Sequence, residues 1–227
     1  MKQFTQNSMV IELIKKDWYF AKRNTLLLFF LGLASVFLLT FNNRLFYLGL
    51  VLLLSIIILI GALLITSTVV NERKNHTLAF LMSLPITYMD FTKAKMILNL
   101  SVFSLVWIIL VMATTGVINY SEHLPNGLMP YASIILIELF VAFILILATA
   151  LVTESETWTI IVMSITNIAV SLFMFLIASI SSIKQHMESP MAVWNSTALM
   201  IIAIEIIVGL FIIGLTLYLQ SRKKDFT

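Results

Sequence analysis

Six apolar stretches, at about residues 25–41, 45–70, 96–120, 131–152, 159–183 and 197–219, constrain this chain more than any other feature. Each is near or above the roughly 20 residues that an α-helix needs to cross a hydrocarbon layer about 30 Å thick. The first is the shortest, and only Asn42, Asn43 and Arg44 part it from the second, so the two read as a tight helical hairpin. Composition agrees with an all-α polytopic membrane protein. Apolar residues make up 60% of the chain, charged residues 11%, and mean hydropathy is +1.04, against roughly 45–50% apolar and about 25% charged in soluble domains. The charges gather in a few short clusters, as a chain with its spans in lipid requires. There is no cysteine, which excludes disulfides and thiolate metal sites. No basic helix with interleaved aromatics lies outside the apolar runs, so nucleic acid is not an expected partner.

Lys and Arg placement sets an expected orientation. One side would hold Lys2, Lys15, Lys16, Lys22, Arg23, Arg73, Lys74, Lys93, Lys95, Arg222, Lys223 and Lys224; the other would hold only Arg44 and Lys184. Both termini are therefore expected in the cytoplasm of a multi-pass plasma-membrane protein. Residues 1–24 carry Val10, Leu13, Ile14, Trp18 and Ala21 at helical spacing, with Lys15, Lys16, Lys22 and Arg23 largely on other faces. That pattern predicts a separate helix lying in the interface, with Trp18 at headgroup level. A secretory leader fits less well, because its charged region would be long and no small-x-small site follows the first apolar run. Residues 220–227 form a short tail on the same side. The outer links, 121–130 and 184–196, are too small to fold alone. The inner link 153–158 carries Glu154 and Glu156. No internal repeat stands out, which gives no support to an inverted-repeat transporter.

The one substantial polar segment between the first and last spans is 71–95, NERKNHTLAFLMSLPITYMDFTKAK. It opens on Asn71, Glu72, Arg73 and Lys74, passes an apolar patch of Leu78, Phe80, Leu81, Met82 and Leu84, and breaks at Pro85. Residues from about Thr77 to Leu84 read as a short amphipathic helix stopped by that proline. Thr87 followed by Asp90 has the form of a capping box and predicts a new helix from near Tyr88. Taken alone, the apolar patch suits the membrane surface.

The same residues carry a resemblance. Glu72-Arg73, then Thr77, an apolar run, Ser83-Leu84-Pro85, and a lysine before a membrane span resemble the first cytoplasmic loop of ABC-2 type exporter membrane subunits. One departure is His76, where that family usually has glycine before the threonine. The resemblance implies that the segment is a coupling helix docked on an ATPase, with Glu72, Arg73, Thr77, Leu78, Phe80, Leu81, Met82, Leu84 and Pro85 at the contact. It implies two membrane subunits, as a homodimer or heterodimer, paired with two ATPases. ATP and Mg would be bound by the ATPase, leaving this chain without a cofactor. Size and Ile/Lys/Asn-rich composition also resemble small Gram-positive ABC-2 subunits that export amphipathic peptides such as phenol-soluble modulins. An amphipathic peptide or another hydrophobic substrate is the expected cargo, with lipid, drug or polysaccharide export left open.

Catalytic motifs are missing. No Gly-x-x-x-x-Gly-Lys-Ser/Thr loop occurs. His76, His123 and His186 fall in three separate links, the first on the opposite side from the others, which excludes a three-histidine metal site. This chain is therefore not expected to be an enzyme. Two acids do lie inside spans. Glu138 and Glu205 each sit about eight residues from the outer end, roughly 10–12 Å deep, where an ionised carboxylate facing lipid is costly. Each belongs on a translocation path or a subunit interface, or serves as an interhelical hydrogen bond. Asn99 and Asn167 invite the same readings more weakly, as glue between helices. Two other functions remain in view: a non-transporting anchor or sensor that recruits a cytoplasmic partner, and a proton-coupled transporter working through Glu138 and Glu205.

Overall fold

The structure, a computed structural model, describes residues 6–41, 43–74, 87–121 and 124–223. Along the chain run α1 (Gln6–Leu38), α2 (Asn43–Ile65), a π-helical turn (Thr66–Val70), α3 (Asn71–Lys74), α4 (Tyr88–Tyr120), α5 (Leu128–Thr153), α6 (Glu156–Ser179), α7 (Ser181–Lys184) and α8 (Ser196–Ser221). No strand occurs among the described residues. Six of the helices are long and apolar enough to cross a membrane. The start of α1, α3, the start of α4 and the finish of α8 share one end of the bundle, called here the loop end; the turns after α1, α4 and α6 form the far end.

Chemistry sets the helix boundaries where the sequence is explicit. Thr87 caps α4: its hydroxyl accepts from the Asp90 amide at 3.2 Å, while the Asp90 carboxylate accepts from the Thr87 amide at 3.2 Å. Ser155 and Asn195 cap α6 and α8 with a single bond each, accepting from the Trp158 and Ala198 amides. Glu154 stands between α5 and α6 with φ 57°, so a single left-handed residue and its capping neighbour make the inner link. The fifth span is shifted from the expected 159–183. It occupies Glu156–Ser179 and gives way to the short α7.

The N-terminal expectation needs a correction. The interfacial helix of residues 1–24 and the first span of 25–41 are not separate elements, because α1 runs unbroken from Gln6 to Leu38. Its length is about 50 Å. No proline or glycine falls near residue 24 to end it, and one stripe continues across the junction, with Leu13, Asp17, Ala21, Thr25 and Leu28 all buried. The apolar residues of the early stripe pack on a neighbouring helix: Val10, Leu13 and Ile14 meet Phe91 and Ala94 of α4.

At the centre of the bundle lies α5, which packs on α2, α4, α6 and α8, while α1 lies along α2 and α4. Leu53, Ile57, Ile60 and Leu64 bury one face of α2 at spacings of three and four. Phe103 of α4 stacks on Phe143 of α5 with ring centroids 3.9 Å apart. Close approach of α1 and α2 depends on Gly49, where a Cβ would stand 2.8 Å from the Ser35 carbonyl oxygen. In lipid such small-residue contacts and interhelical hydrogen bonds hold helices together, because lipid tails are as apolar as leucine. Two of those bonds run from Trp107 Nε1 to the Leu136 carbonyl at 2.7 Å and from Gln220 Nε2 to the Leu151 carbonyl at 2.6 Å. The outward faces of α6 and α8 are apolar and exposed along their length.

Candidate functional site

At the loop end, both stems of segment 71–95 converge on one buried charge network. From the first stem, Glu72 of α3 points inward and is 7% exposed. The π turn just before it matters here. Its extra residue rotates the helix beyond it by about 100°, and Glu72 falls on the face toward α1 and α4. From the second stem, Lys95 of α4 is fully buried. The third member is Asp17 of α1, 3% exposed.

Lys95 Nζ lies 2.6 Å from Asp17 Oδ2 and also pairs with Glu72. Lys16 pairs with Glu72 from α1 and stands 3.4 Å from Asp17 Oδ1. Two ammonium groups thus answer two carboxylates, and the set is neutral as a whole. The Phe91 ring lies under Lys95 at 5.1 Å. One turn deeper, Asn99 Nδ2 donates to Thr68 Oγ1 at 2.9 Å and to the Lys95 carbonyl at 2.8 Å, and Thr68 donates to the Leu64 carbonyl at 2.7 Å. Asn99 therefore ties α4 to the π turn. A buried, mutually satisfied network of this kind resists piecemeal change, since removing one partner of a buried ion pair costs about 3–5 kcal/mol.

A second, more open cluster joins the same stem to the other half of the bundle. Lys223, just past α8, reaches Glu154 Oε1 at 2.6 Å and the Val152 carbonyl at 2.9 Å. Tyr88, the first residue of α4, donates its hydroxyl to the same Glu154, and Lys223 lies 5.3 Å from its ring. Glu154 thus meets basic chemistry within its own chain. Between them the two clusters connect the stems of the loop to α1, the π turn, α5 and α8.

The sequence-derived site residues divide in four. Glu72 and Asn99 belong to the buried network, and Arg73 lies beside Glu72 in α3. Thr77, Leu78, Phe80, Leu81, Met82, Leu84 and Pro85, with the short helix expected there, lie outside the described residues. Glu138 and Glu205 come together across the α5–α8 contact, within electrostatic reach of each other. Asn167 borders a cavity of about 20 Å³ between α2, α4, α5 and α6. Asp17, Lys16, Lys95, Thr68, Tyr88 and Lys223 are the residues of the two clusters that sequence reasoning did not name as site residues. For Asp17 a signal existed, because it is the one acid inside the stripe Val10, Leu13, Ile14, Ala21. Among the described residues no cluster of three or more acidic or histidine side chains is placed to hold a metal.

These features define a helical membrane protein whose spans are wired by charge to a single loop. A family model for the ABC-2 family transporter protein matches residues 12–221. The chain belongs to the ABC-2 transporter family and is one of its membrane components, which are generally non-catalytic. No curated protein and no solved structure matches it.

Proposed function

We propose that this chain is the membrane subunit of an ATP-driven exporter, moved by an ATPase carried on a separate polypeptide that docks on residues 75–86 from the cytoplasm. The observation that carries this reading is the Asp17–Lys95–Glu72 network. A loop that only rested on the membrane would need no buried ionic anchor on each stem. A loop that transmits force does, because displacement is passed on only through contacts that do not yield. Glu72 hands the movement to α1 through Lys95 and Asp17, and Asn99 hands it to the π turn, a local irregularity suited to absorbing a shift in register. The ATPase must bind one arrangement of the spans better when it holds ATP, or nothing moves.

The apolar patch Leu78–Leu84 then enters a groove of the ATPase, with Arg73 on the rim. Two such chains assemble around the path, and the apolar faces of α6 and α8 offer area for lipid or for the second subunit. Amphipathic peptide is the cargo class the resemblance favours.

The test separates docking from transmission. Leu81→Asp breaks the apolar patch and abolishes co-purification of an ATP-hydrolysing chain. Lys95→Met leaves the apolar patch unchanged, so the ATPase still co-purifies, but ATP-dependent export is lost. Failure of any ATPase to accompany the wild-type chain overturns the proposal.

A further inference from the structure

Glu205 is 5% exposed, and neither of its carboxylate oxygens has a hydrogen-bond partner among the described residues. Its neighbour Glu138 is half-buried. Since α5 and α8 both start at the far end, the two acids share a depth about 15 Å below that end. An apolar cluster of Ile134, Ile177, Ile183 and Ala198 closes the bundle above them. Both α6 and α8 pack on α5 but hardly touch each other. Below that cluster the acids therefore stand in the seam between α6 and α8.

A buried carboxylate pair must be either protonated or answered by a positive charge, and this chain has no such charge to give. No Lys, Arg or His occurs in residues 96–183 other than His123, or in residues 187–221. A second copy has the same sequence and the same gap. Two carboxylates are also too few oxygens for Ca²⁺ or Mg²⁺, which take six or more. What answers the pair, a proton or a larger cation, comes from outside the protein.

We infer that Glu138 and Glu205 are the recognition site for the ammonium or guanidinium group of a cationic amphiphile seated in the α6–α8 seam. The half-exposed Glu138 gives the cation a way in from the surface of the bundle. The apolar body of the ligand lies on exposed side chains of the flanking helices, Ile165, Ile168 and Leu172 on one side and Ile204 and Ile207 on the other. The inference deepens the export reading by naming the chemistry of the cargo, and rests on that reading only for the steps after binding.

The experiment uses the full chain, in whatever complex it purifies, in nanodiscs of zwitterionic phosphatidylcholine. A photoreactive dodecylammonium probe is compared with the uncharged dodecanol analogue, and the labelled peptides are mapped by mass spectrometry. The ammonium probe labels α6 and α8 beside the seam about tenfold more than the alcohol, a ratio set by the lost ion pairing. Glu138→Gln/Glu205→Gln brings it down to the alcohol level. Glu138→Gln alone, at the half-exposed position, gives most of that loss and serves if the double variant misfolds. Equal labelling by the two probes overturns the inference and leaves a bound proton as the counter-charge; unchanged labelling in the Gln variants overturns it as well. No ATP enters the assay, so specific labelling without ATP-driven export sinks only the exporter reading, and export without specific labelling sinks only this one.

Discussion

The loop-end network and the acid pair between α5 and α8 are both buried charge, yet they are built in opposite ways. At the loop end, Asp17 and Glu72 are answered by Lys95 and Lys16 from the same chain. In the far half of the bundle, Glu205 has no hydrogen-bond partner among the described residues, and the charged group that acts on it is another acid. A set of charges satisfied internally fixes a structure, because every change leaves one member stranded in a low dielectric. A set left incomplete fixes nothing by itself and stays responsive to a ligand. The same chain thus keeps an internally answered charge set and an incomplete one about one membrane leaflet apart.

The largest expected effect breaks the comparison if it fails. Lys95→Met strands Asp17 and Glu72 with only the half-exposed Lys16, and should lower unfolding stability by about 3–5 kcal/mol. Glu205→Gln strands nothing and should cost less than about 1 kcal/mol. Thermal or denaturant unfolding of the purified variants in one detergent measures both. The pair Asp17→Asn with Lys95→Met should cost less than the sum of the single changes, since residues of one network are not additive. Equal losses for Lys95→Met and Glu205→Gln would erase the distinction between satisfied and incomplete charge.

A smaller effect sharpens the picture of the second stem. Thr87→Ala removes one half of the capping box at the start of α4 and should cost about 1 kcal/mol, read in the same unfolding assay. Hydrogen exchange should rise at the amides of Met89 to Phe91 while that of residues near Asn99 is unchanged. Spread of the increase to Lys95 would mean that the cap, not the ion network, holds the stem.

Much of this was legible in the sequence. The six spans and the Thr87–Asp90 cap depend on local pattern: run length and the three-residue spacing of a hydroxyl and an acid. The depth of Glu138 and Glu205 comes from counting residues. What was not legible depends on which helix face meets which. The stripe of Val10, Leu13, Ile14 and Ala21 fits a membrane surface as well as a neighbouring helix, and only packing on Phe91 and Ala94 decides it. The burial of Asp17 is a consequence of that packing, as is its pairing with a lysine 78 positions away. The π turn that aims Glu72 leaves no mark in TSTVV that spacing rules detect.

The smallest effect concerns the open cluster, and its size is itself informative. Lys223 and Glu154 are each about one-third exposed at the side chain, so water and salt compete for both, and such a pair is worth at most about 1 kcal/mol. Lys223→Ala also withdraws the bond to the Val152 carbonyl at the end of α5, a neutral acceptor that water can satisfy. The unfolding stability should therefore fall by less than about 1 kcal/mol, and by less still at high ionic strength, where exposed charges are screened. Lys95→Met should keep its full effect in the same salt, because no solvent reaches Lys95. A salt titration of the two variants side by side thus separates the sealed wiring of α1 and the loop from the looser tie of α8, and a salt-sensitive Lys95 would show that its network opens to water.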